Sequence, residues 1–500
     1  MGNKEKFILI NEEDSVVVAT QELKKGEIIN LLDKSIILTE NIALGHKIAI
    51  KELKKGEEII KYGYSFGLAT QEIKLGNWVH SHNVMSIHGS NSYHYNPTFS
   101  SNLAKIEEKF FFNGYSREND TAGIRNHVYI IPTVFCANGP STKIAEIANS
   151  MFPKTENFDG FLPLCHPYGC SQTGKDLEYT QNILAGLANN PNAGSVLIVS
   201  LGCEVNSLDV FTPYLGEINP ERIKFLTLQD CEDEFALGLE LCGKLYTFTS
   251  KFHREHLPLS KLAIGVNCGG SDGLSGITAN PLVGEVSNKV ADQGGTILMT
   301  EVPEMFGAEQ ILMNRAEDEL IFQKIVNLIT DYKAYFTKYG EEANENPTQG
   351  NRAGGITTLE EKSLGCILKG GKAVVTDVLT YGERLEKTGF VLLSGPGNDL
   401  VGVTAQIAAG CNLMIFTTGR GTPAGFACPT LRISTNNELF NKKKHWNDFN
   451  AGVLLEGAQV NDLAQDLLNL IIKVANGEVR TKTEINNYFE IGILRDGVTL

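Results

Sequence analysis

Three apolar, β-branched segments that each end on a cysteine are the feature that most constrains the fold of this chain. They are VYIIPTVFC, SVLIVSLGC and LAIGVNC, which close at Cys136, Cys203 and Cys268. Continuous apolar runs of this length predict strands that are buried on both faces, as in a parallel sheet. Because the carboxyl ends of parallel strands meet at one edge of a sheet, we expect the three thiols to converge on one ligand site.

The remaining pattern predicts an α/β protein with an all-β module at its start. Period-two alternation and glycine turns over residues 1–95 predict a small β domain, and a polar stretch over residues 96–110 predicts a linker. The rest of the chain alternates strands with helical segments, which indicates βαβ units with mainly parallel sheets. We therefore predict two Rossmann-like α/β units, over residues 111–257 and 258–500.

Charge and hydropathy exclude several classes of protein. The formal net charge is −15 and no long Lys/Arg run occurs, which argues against nucleic acid as a partner. No stretch approaches about 18 consecutive apolar residues, and the start of the chain is too acidic for a signal peptide. The ten cysteines are scattered in apolar surroundings and do not resemble a secreted disulfide framework. We expect a cytoplasmic protein without a membrane partner, whose cysteines stay reduced.

Thiols gathered at one site in such a chain most often hold iron or zinc, or supply a nucleophile. Cys170, in the loop CHPYGC, is a fourth candidate beside the three at the strand ends. Substrate contact and plain burial are the alternatives for this set. For the other cysteines, taken singly, we expect inert packing as small apolar side chains. These are Cys165, Cys231, Cys242, Cys366, Cys411 and Cys428.

Two further pairs of residues have chemistry that suits a site. His80 and His82 in WVHSHN have the i, i+2 spacing that puts both imidazoles on one face of a strand, where they can bind a metal or a substrate. Surface histidines at a strand end are the alternative. Glu301 and Glu304 in TEVPE follow a predicted strand. Each could serve as a metal ligand, a base or a helix cap.

Loops rich in glycine and small polar residues follow several of the predicted strands. Glycine lets backbone amides approach an anion, and hydroxyl and amide side chains bind hydroxyl groups, so such loops suit a small polyhydroxylated acid. Arg420, between glycines in TTGRGTP, has the fork geometry for a carboxylate, with a solvated loop arginine as the alternative. None of the loops matches a Walker A or GxGxxG motif, so a nucleotide cofactor has little support.

Successive segments of the chain resemble the altronate and galactarate dehydratase family. The segment HKIAIKELKKGEEIIKYGYSFGLATQEIKLGNWVHSHN is similar to the SAF-type β-clip module of that family. The family signatures then follow in order over nearly the whole chain. They are GYSRENDTAGIRN, IPTVFCAN, HPYGCSQ, LGCE, CGGSDGLSGITANPLVG, TEVPEMFGAE, NPTQGNRAGGITTLEEKSLG, PGNDLV, TTGRGTP and HWNDFNAG.

The resemblance implies an iron-dependent lyase that removes water from a sugar acid. Details of HPYGCSQ, TEVPEMFGAE and PGND favour the altronate members, which would convert D-altronate to 2-keto-3-deoxy-D-gluconate in galacturonate catabolism. The alternatives are galactarate or another sugar acid as substrate, thiol-dependent covalent catalysis without a metal, and a non-catalytic sugar-acid or redox sensor. The expected partner is the small-molecule substrate, and a homodimer is the assembly considered.

The resemblance also implies Fe²⁺, either mononuclear or in an iron–sulfur cluster. Three protein ligands leave a metal position open for substrate. We therefore expect Cys136, Cys203 and Cys268 as iron ligands, with Cys170 and His166 as substitutes for one of them.

The same resemblance leads to expected catalytic and substrate-binding residues. The expected base is His82 or His80, delivered to the crevice by the β module, with Glu301 as runner-up. A carboxylate clamp and a set of contacts to hydroxyl groups complete the expected site. These residues are Arg420, Gly269 and Gly270 for the carboxylate, and Ser271, Asp272, Thr278 and Asn280 for the hydroxyls.

Overall fold

The protein folds as an all-β module followed by two α/β units with parallel sheets, which confirms the predicted fold class. The predicted linker lies largely outside the described residues. The computed structural model describes residues 6–31, 34–87, 92–96, 109–342 and 346–497.

The β module consists of short antiparallel strands joined by tight turns. In the repeated turn LKKGE, Gly26 and Gly56 have φ values of +84° and +87°, a left-handed conformation that glycine adopts without steric cost. The strands pair in the orders β1-β2-β5-β8, β3-β4 and β6-β7-β9. They are β1 (Phe7–Ile8), β2 (Val16–Ala19), β3 (Ile28–Leu31), β4 (Lys34–Ile37), β5 (Lys47–Ala49), β6 (Glu58–Lys61), β7 (Tyr64–Ala69), β8 (Trp78–Val79) and β9 (Val84–Met85).

The first α/β unit is built on a four-stranded parallel sheet in the order β13-β12-β14-β15, beside a small antiparallel sheet β11-β10-β16. Its strands are β10 (Phe111–Ser116), β11 (Ala122–Gly123), β12 (His127–Pro132), β13 (Gly160–Pro163), β14 (Ala193–Ser200), β15 (Ile223–Thr227) and β16 (Glu255–Pro258). Its α-helices are α1 (Asn138–Met151), α2 (Lys175–Ala188), α3 (Leu208–Phe211) and α4 (Glu234–Thr249). All eight residues of β14 are buried, as an apolar run of this kind requires.

The second α/β unit has a seven-stranded parallel sheet in the order β19-β20-β18-β17-β21-β22-β23. Its strands are β17 (Ala263–Cys268), β18 (Thr296–Met299), β19 (Val375–Leu379), β20 (Gly389–Leu393), β21 (Leu413–Thr418), β22 (Thr430–Ser434) and β23 (Phe449–Asn450). Its α-helices are α5 (Ala279–Asp292), α6 (Glu309–Met313), α7 (Glu319–Lys338), α8 (Gln349–Ala353), α9 (Leu359–Cys366), α10 (Asp399–Ala409), α11 (Asn437–Lys442), α12 (Val460–Ala475) and α13 (Lys482–Ile485). No described helix is long and apolar enough to cross a bilayer.

The strand order of the larger sheet reverses beside β17. From β17 the chain adds β18, β19 and β20 on one side, and then β21, β22 and β23 on the other. In open parallel sheets, ligands bind outside the carboxyl ends of the strands at such a reversal. The loops that follow β17 and β21 therefore flank the expected crevice.

Helices α2 and α10 join the two α/β units. A Cβ at Gly186 would lie 2.4 Å from the carbonyl oxygen of Ala408, so a glycine permits this close approach. Just beyond α2, the amide of Asn190 donates to the carbonyl of Ile407 at 2.8 Å. Each helix begins at the carboxyl edge of its own sheet. The carboxyl-terminal ends of the two helices therefore meet where the α/β units join.

The β module docks on the second α/β unit through a buried charge triad. The Nζ atoms of Lys47 and Lys61 lie 2.9 and 2.7 Å from the carboxylate of Glu361, and all three side chains are at most 1% exposed. A backbone contact adds to this, since the Thr358 hydroxyl donates to the carbonyl of Phe66 at 2.6 Å. The docking brings the loop before β5 close to α8, and the turn after β8 close to the start of α9.

Candidate functional site

Four buried ligand-type side chains meet at the carboxyl edge of the larger sheet. They belong to Cys268, Glu301, Glu304 and Cys366, and their thiol and carboxylate atoms lie within 4.8 Å of one another. Cys268 ends β17, the two glutamates follow β18, and Cys366 ends α9. We call these residues the Cys268 cluster. Among the described residues it is the only group of three or more His, Cys, Asp or Glu side chains packed this closely.

A fully buried lysine lies at the centre of the Cys268 cluster. The Nζ atom of Lys369 is 2.9 Å from the sulfur of Cys268, 3.1 Å from that of Cys366 and 2.6 Å from the carboxylate of Glu301. A second ammonium group, on Lys362, lies 2.8 Å from the carboxylate of Glu304. The two lysines supply the positive charge that buried thiolates and carboxylates require.

The electrostatics of the cluster favour a thiolate on Cys268. A hydrogen bond with the Cys366 thiol, and then the charge of Lys369, lower the pKa of Cys268 to about 6 in spite of burial. Burial and the charge of Cys268 raise the pKa of Glu301 well above its usual value. Near neutral pH the cluster therefore holds a thiolate against the Lys369 ammonium.

Glu301 has an unusual backbone conformation. Its φ of +68° and ψ of +50° lie in the left-handed region, which costs free energy for a residue other than glycine. In this conformation its two carboxylate oxygens lie 3.3 Å from the backbone nitrogen of Cys268 and accept its N–H. Strain of this kind persists where surrounding contacts fix it, and here it aims the carboxylate into the cluster.

The Cys268 cluster does not fit a metal ion while Lys369 is in place. Its two sulfur and two carboxylate donors match the preferences of Fe²⁺ or Zn²⁺. However, the Lys369 ammonium already contacts both sulfurs and Glu301. A divalent cation at the same position would meet this charge at contact distance, so the lysine takes the place of a metal.

Asp399 is a site residue that the sequence analysis missed. It is the first residue of α10, in the PGND segment after β20, and accepts a hydrogen bond from the Asn267 amide at 3.3 Å. Burial, followed by the charges of Glu304 and Cys268, raises the pKa of Asp399 to about 7. A carboxyl group with this pKa gains and loses a proton near neutral pH. Its position at the end of the loop between β20 and α10 was the available signal.

Cys366 and Lys369 were also missed, and Cys366 is not the isolated apolar filler that we expected. Lys362, Cys366 and Lys369 are spaced i, i+4 and i+7, which puts them on one face of α9 and the turn that follows it. That spacing was the sequence signal. The expectation of packing fits Cys242, Cys411 and Cys428, which are buried among apolar residues.

The predicted carboxylate clamp lies at the strand-order reversal. Arg420 is exposed, and its guanidinium has no hydrogen-bond or ion-pair partner in the described parts of the chain. The backbone N–H of Arg420 donates to the Gly270 carbonyl at 2.8 Å, which ties the loops after β17 and β21 together. The amide of Gly269 already donates to the Thr417 carbonyl at 3.1 Å, so it is not available to a ligand. Arg420 and the Gly270 amide remain as a predicted clamp.

The residues predicted to bind hydroxyl groups lie together but are largely engaged within the protein. Asp272 accepts hydrogen bonds from the Thr435 hydroxyl at 3.0 and 3.1 Å. Thr278 donates to the carbonyl of Thr435 at 2.8 Å, and Asn280 donates to that of Gly365 at 2.9 Å. These side chains therefore hold the loops in place.

Ser271 differs from the other residues predicted to bind hydroxyl groups. It is buried and lines a small cavity between the β module and the second α/β unit, together with Tyr62 and Cys268. The Ser271 hydroxyl stays a predicted substrate contact.

The two histidines do not share the strand geometry that their spacing predicted. Strand β8 ends at Val79, so His80 and His82 lie in the turn after it, and the predicted i, i+2 strand face is wrong. His80 is buried and lies 3.0 Å from the Thr357 hydroxyl, and burial lowers its pKa to about 4. His82 is exposed and packs against the Trp78 ring. At neutral pH His80 is therefore an uncharged imidazole at the docking surface.

The expectation that three strand-end cysteines share one sheet edge is wrong. Cys136 and Cys203 follow β12 and β14 of the four-stranded sheet, whereas Cys268 ends β17 of the seven-stranded sheet. The three apolar runs look alike but belong to different sheets. Cys136 and Cys203 are exposed, as is Cys170, whereas Cys268 is buried against Lys369.

His166 does not offer a nitrogen to a metal in this structure. Its Nε2 lies 2.7 Å from the carbonyl oxygen of Pro132, and its Nδ1 accepts the backbone N–H of Tyr168 at 3.2 Å. Burial lowers the pKa of His166 to about 4, so the ring is neutral with one donor and one acceptor, and both are used. His166 therefore fixes its loop instead of serving as the predicted ligand.

Comparison with known families gives three matches in chain order. An altronate/galactarate dehydratase SAF domain matches residues 5–87. The second domain of D-galactarate dehydratase/altronate hydrolase matches residues 114–249. The C-terminal domain of D-galactarate/altronate dehydratase matches residues 259–499.

Curated relatives match over almost the full length. The altronate dehydratase of Bacillus subtilis (strain 168) is 45% identical over 496 residues, which is 99% of each chain. The altronate dehydratase of Escherichia coli (strain K12) is 44% identical over 99% of this chain and 100% of the relative. The galactarate dehydratase (L-threo-forming) of Escherichia coli (strain K12) is 30% identical over 95% of this chain and 94% of the relative.

Proposed function

The chain belongs to the altronate/galactarate dehydratase family of hydro-lyases, and we propose that it converts D-altronate to 2-keto-3-deoxy-D-gluconate in galacturonate catabolism. The observation that carries the choice of substrate is the difference in identity between relatives. Two altronate dehydratases are 45% and 44% identical to the chain, whereas the galactarate enzyme is 30% identical.

The proposed reaction makes three chemical demands. A proton leaves the carbon next to the carboxylate, hydroxide leaves the neighbouring carbon, and the resulting enol becomes the keto acid. The proton is acidic enough only when the carboxylate charge is compensated, and hydroxide departs only when an acid or a metal binds it. The site therefore needs a carboxylate clamp, a base and a Lewis acid.

Arg420 and the Gly270 amide are the proposed clamp. Arg420 is exposed on the loop after β21, and its backbone is bonded to the loop that carries Gly270. A guanidinium binds a carboxylate through two parallel N–H groups, and this geometry fixes orientation as well as charge. Their location at the strand-order reversal supports the assignment.

The proposed base is His80 or His82, as the sequence suggested. His80 is neutral at physiological pH because burial lowers its pKa to about 4, which leaves its ring nitrogen unprotonated but makes it a weak base. Glu301 is the second candidate for the base. Its carboxylate lies 2.6 Å from the Nζ atom of Lys369, and this ion pair makes it a less suitable proton acceptor. Asp399 joins the candidates because its pKa of about 7 lets it take up a proton and return it in each cycle.

We also propose that the enzyme depends on Fe²⁺, held either as a single ion or in an iron–sulfur cluster. The exposed thiols of Cys136, Cys170 and Cys203 fit such a group by their chemistry, because soft thiolates are preferred ligands of iron–sulfur centres. When bound, the iron supplies a Lewis acid for the departing hydroxyl group. The side chains of the protein bind and orient the sugar acid and transfer its proton.

The test is a side-by-side assay of anaerobically purified protein with D-altronate and with galactarate, which carries two carboxylates. We expect keto acid from both or from altronate alone, with kcat/KM for altronate at least about tenfold higher, equivalent to about 1.4 kcal/mol. Faster turnover of galactarate would assign the other activity of the family. Binding of both acids without release of water would identify a sensor.

A further inference from the structure

Two arginine side chains of the first α/β unit line one cavity. The cavity has a volume of about 550 Å³, and Arg117, Arg222 and the rings of Phe248 and Phe252 are part of its wall. No ion pair joins either arginine to an acidic side chain among the residues that the structure describes. A cavity of this size accommodates a small metabolite.

Both guanidinium groups are bound to the turn that connects α2 to β14. The Nε atom of Arg117 donates to the carbonyl of Pro191 at 2.8 Å. The Nη2 atom of Arg222 donates to the carbonyls of Ala188 and Ala193 at 2.8 and 3.1 Å. Because these carbonyls belong to one short turn, the two positive groups lie beside each other at the cavity wall.

Each guanidinium group keeps N–H donors that the protein does not use. The Nη2 atom of Arg117 donates to the side-chain oxygen of Asn126 at 3.0 Å, but its Nη1 atom is buried and has no hydrogen-bond partner in the described residues. Arg222 donates to described residues through its Nη2 atom alone. A guanidinium has five N–H groups, so both arginines can donate to an acceptor from outside the chain.

The charges of these arginines repel one another. Burial, followed by the charge of Arg222, lowers the pKa of Arg117 to about 9. Burial, followed by the charge of Arg384, lowers the pKa of Arg222 to about 10. Both groups stay charged at neutral pH, so two partly desolvated positive charges face the cavity, and an anion between them would offset the repulsion.

Acidic residues at the cavity do not take this position. Glu118 and Glu217 line the cavity, and both are exposed. The carboxylate of Glu118 accepts hydrogen bonds from the amide of Asn219 at 3.2 and 3.4 Å. Its charge raises the pKa of Arg222, but burial, the larger cause, lowers it. Glu118 therefore offsets the positive charge only in part.

Two other pairs of neighbouring cations in the described chain are each bridged by one buried carboxylate. These sets are Lys47 and Lys61 with Glu361, and Arg125 and Arg480 with Glu484. Arg117 and Arg222 border a cavity where those sets have a carboxylate. The comparison indicates that the missing anion comes from solution.

The cavity lies at the amino ends of β14 and β15, away from the loops that follow these strands. Arg222 directly precedes β15, and the turn over residues 189–192 directly precedes β14. The same turn is bonded to the second α/β unit, since the amide of Asn192 donates to the carbonyl of Asn412 at 2.8 Å. A ligand bound to both arginines would therefore stabilise the junction between the two units.

We propose that Arg117 and Arg222 bind the phosphate group of a small phosphorylated metabolite, at a site separate from the sugar-acid site. A phosphate monoester carries a charge of about −1.5 to −2 at neutral pH, so one group offsets both arginines, whereas one carboxylate offsets only one. The guanidinium fork also matches phosphate geometry. The rings of Phe248 and Phe252 give the organic part of the ligand an apolar wall.

The test is isothermal titration calorimetry of the full-length protein with inorganic phosphate and with glucose 6-phosphate, at constant ionic strength. We expect both to bind with a Kd of about 1 mM or below, and glucose not to bind. Arg222→Gln should weaken both by at least about tenfold, the loss expected for charge-assisted hydrogen bonds. Lys244→Gln, which removes a positive charge from the exposed face of α4, is the matched control and should keep the affinity.

Arginine modification of the unmutated protein gives a second readout that does not depend on whether the variant folds. Phosphate should protect Arg222 from phenylglyoxal, whereas Arg352, exposed on α8, should react equally with and without phosphate. The absence of saturable phosphate binding, an unchanged affinity in Arg222→Gln, or equal modification of Arg222 in both conditions would overturn the proposal. Tighter binding of the dicarboxylate succinate would overturn the choice of phosphate. Turnover of altronate is measured separately, so either claim can fail without the other.

Discussion

Lys369 is the residue on which the Cys268 cluster depends. Its ammonium group contacts two sulfurs and one carboxylate, and it has no access to solvent. Thiols and carboxylates around it raise the pKa of Lys369 in spite of burial, so it stays charged. Without it, the Cys268 thiolate and the Glu301 carboxyl group would lie buried with no ammonium group between them, and only Glu304 would keep a partner, Lys362.

Substitution of Lys369 by methionine should therefore destabilise the fold. We expect Lys369→Met to lower the free energy of unfolding by about 3–5 kcal/mol, since it leaves buried charges unpaired. Urea denaturation measures the change. Lys372→Met, at an exposed position in the next turn, should shift it by less than about 0.5 kcal/mol. Equal denaturation midpoints for Lys369→Met and the unmodified protein would contradict this account of the cluster.

Asp399 gives a prediction about the pH dependence of the reaction. With a pKa of about 7, its carboxyl group is mostly protonated at pH 6 and mostly ionised at pH 8. If it accepts the substrate proton, kcat/KM rises with pH through 7, and Asp399→Asn removes that rise and lowers kcat by about 10²- to 10⁴-fold. Asp466→Asn, on the exposed side of α12, is the control. A pH profile that keeps its rise near 7 in Asp399→Asn would exclude this role.

Sequence reasoning found part of the site and missed the part that comes from distant elements. Cys268 and Glu301 were recognisable because each closely follows an apolar strand. Cys366 and Lys369 lie 98 and 101 residues after Cys268, at the end of α9 and in the turn that follows it. The sequence pattern of this helix does not show which strand it packs against. Proximity of this kind follows from the fold and not from local spacing.

At the scale of elements, the docked β module is held by one buried carboxylate between two lysines. The charges of Lys47 and Lys61 lower the pKa of Glu361 to about 2 against burial, which on its own would raise it. Burial lowers the pKa of Lys47 to about 8. The triad thus carries a net positive charge near neutral pH, and loss of the Glu361 charge leaves two facing ammonium groups.

Acid should therefore release the module. A carboxyl group whose pKa falls from 4.5 to about 2 on folding contributes about 3 kcal/mol above pH 4.5, and this is lost as the pH falls towards 2. Glu361→Gln should loosen the docking already at neutral pH. The fluorescence of Trp78 reports it in a Trp446→Phe background, because Trp78 donates to the His46 ring at the docking surface.

The control for this experiment is Glu57→Gln, in an exposed turn of the same module, which should leave the fluorescence unchanged. Identical acid profiles for Glu361→Gln and the unmodified protein would show that the triad does not hold the module.

The positions of strands were easier to predict than the sheets to which they belong. The runs that became β14 and β17 were recognised as buried strands, but nothing in them told which sheet each would join. Strand β22 was not predicted, because Arg432 interrupts its apolar run, although the side chain is only 1% exposed. Its guanidinium lies over the Phe416 ring at 5.7 Å, and its two terminal nitrogens bond to backbone carbonyls, while its Nε has no hydrogen-bond partner among the described residues.

At the scale of the whole molecule, iron dependence is the property to test. We expect aerobically purified protein to show weak activity that ferrous iron with a reductant restores, because exposed thiolate-bound iron is open to oxidation. Zinc with the same reductant is the matched control and should not restore it. Full activity after metal removal with a chelator would refute iron dependence and favour a thiol or acid–base mechanism.

The most direct test of the central claim is a proton NMR record of D-altronate incubated with the anaerobic, iron-loaded protein in D₂O. Removal of water across the carbons next to the carboxylate predicts loss of the proton at C2 and appearance of 2-keto-3-deoxy-D-gluconate with one deuterium at C3. An unchanged altronate spectrum under conditions where the acid binds would contradict the claim, and the chain would then be a sugar-acid binding protein without hydro-lyase activity.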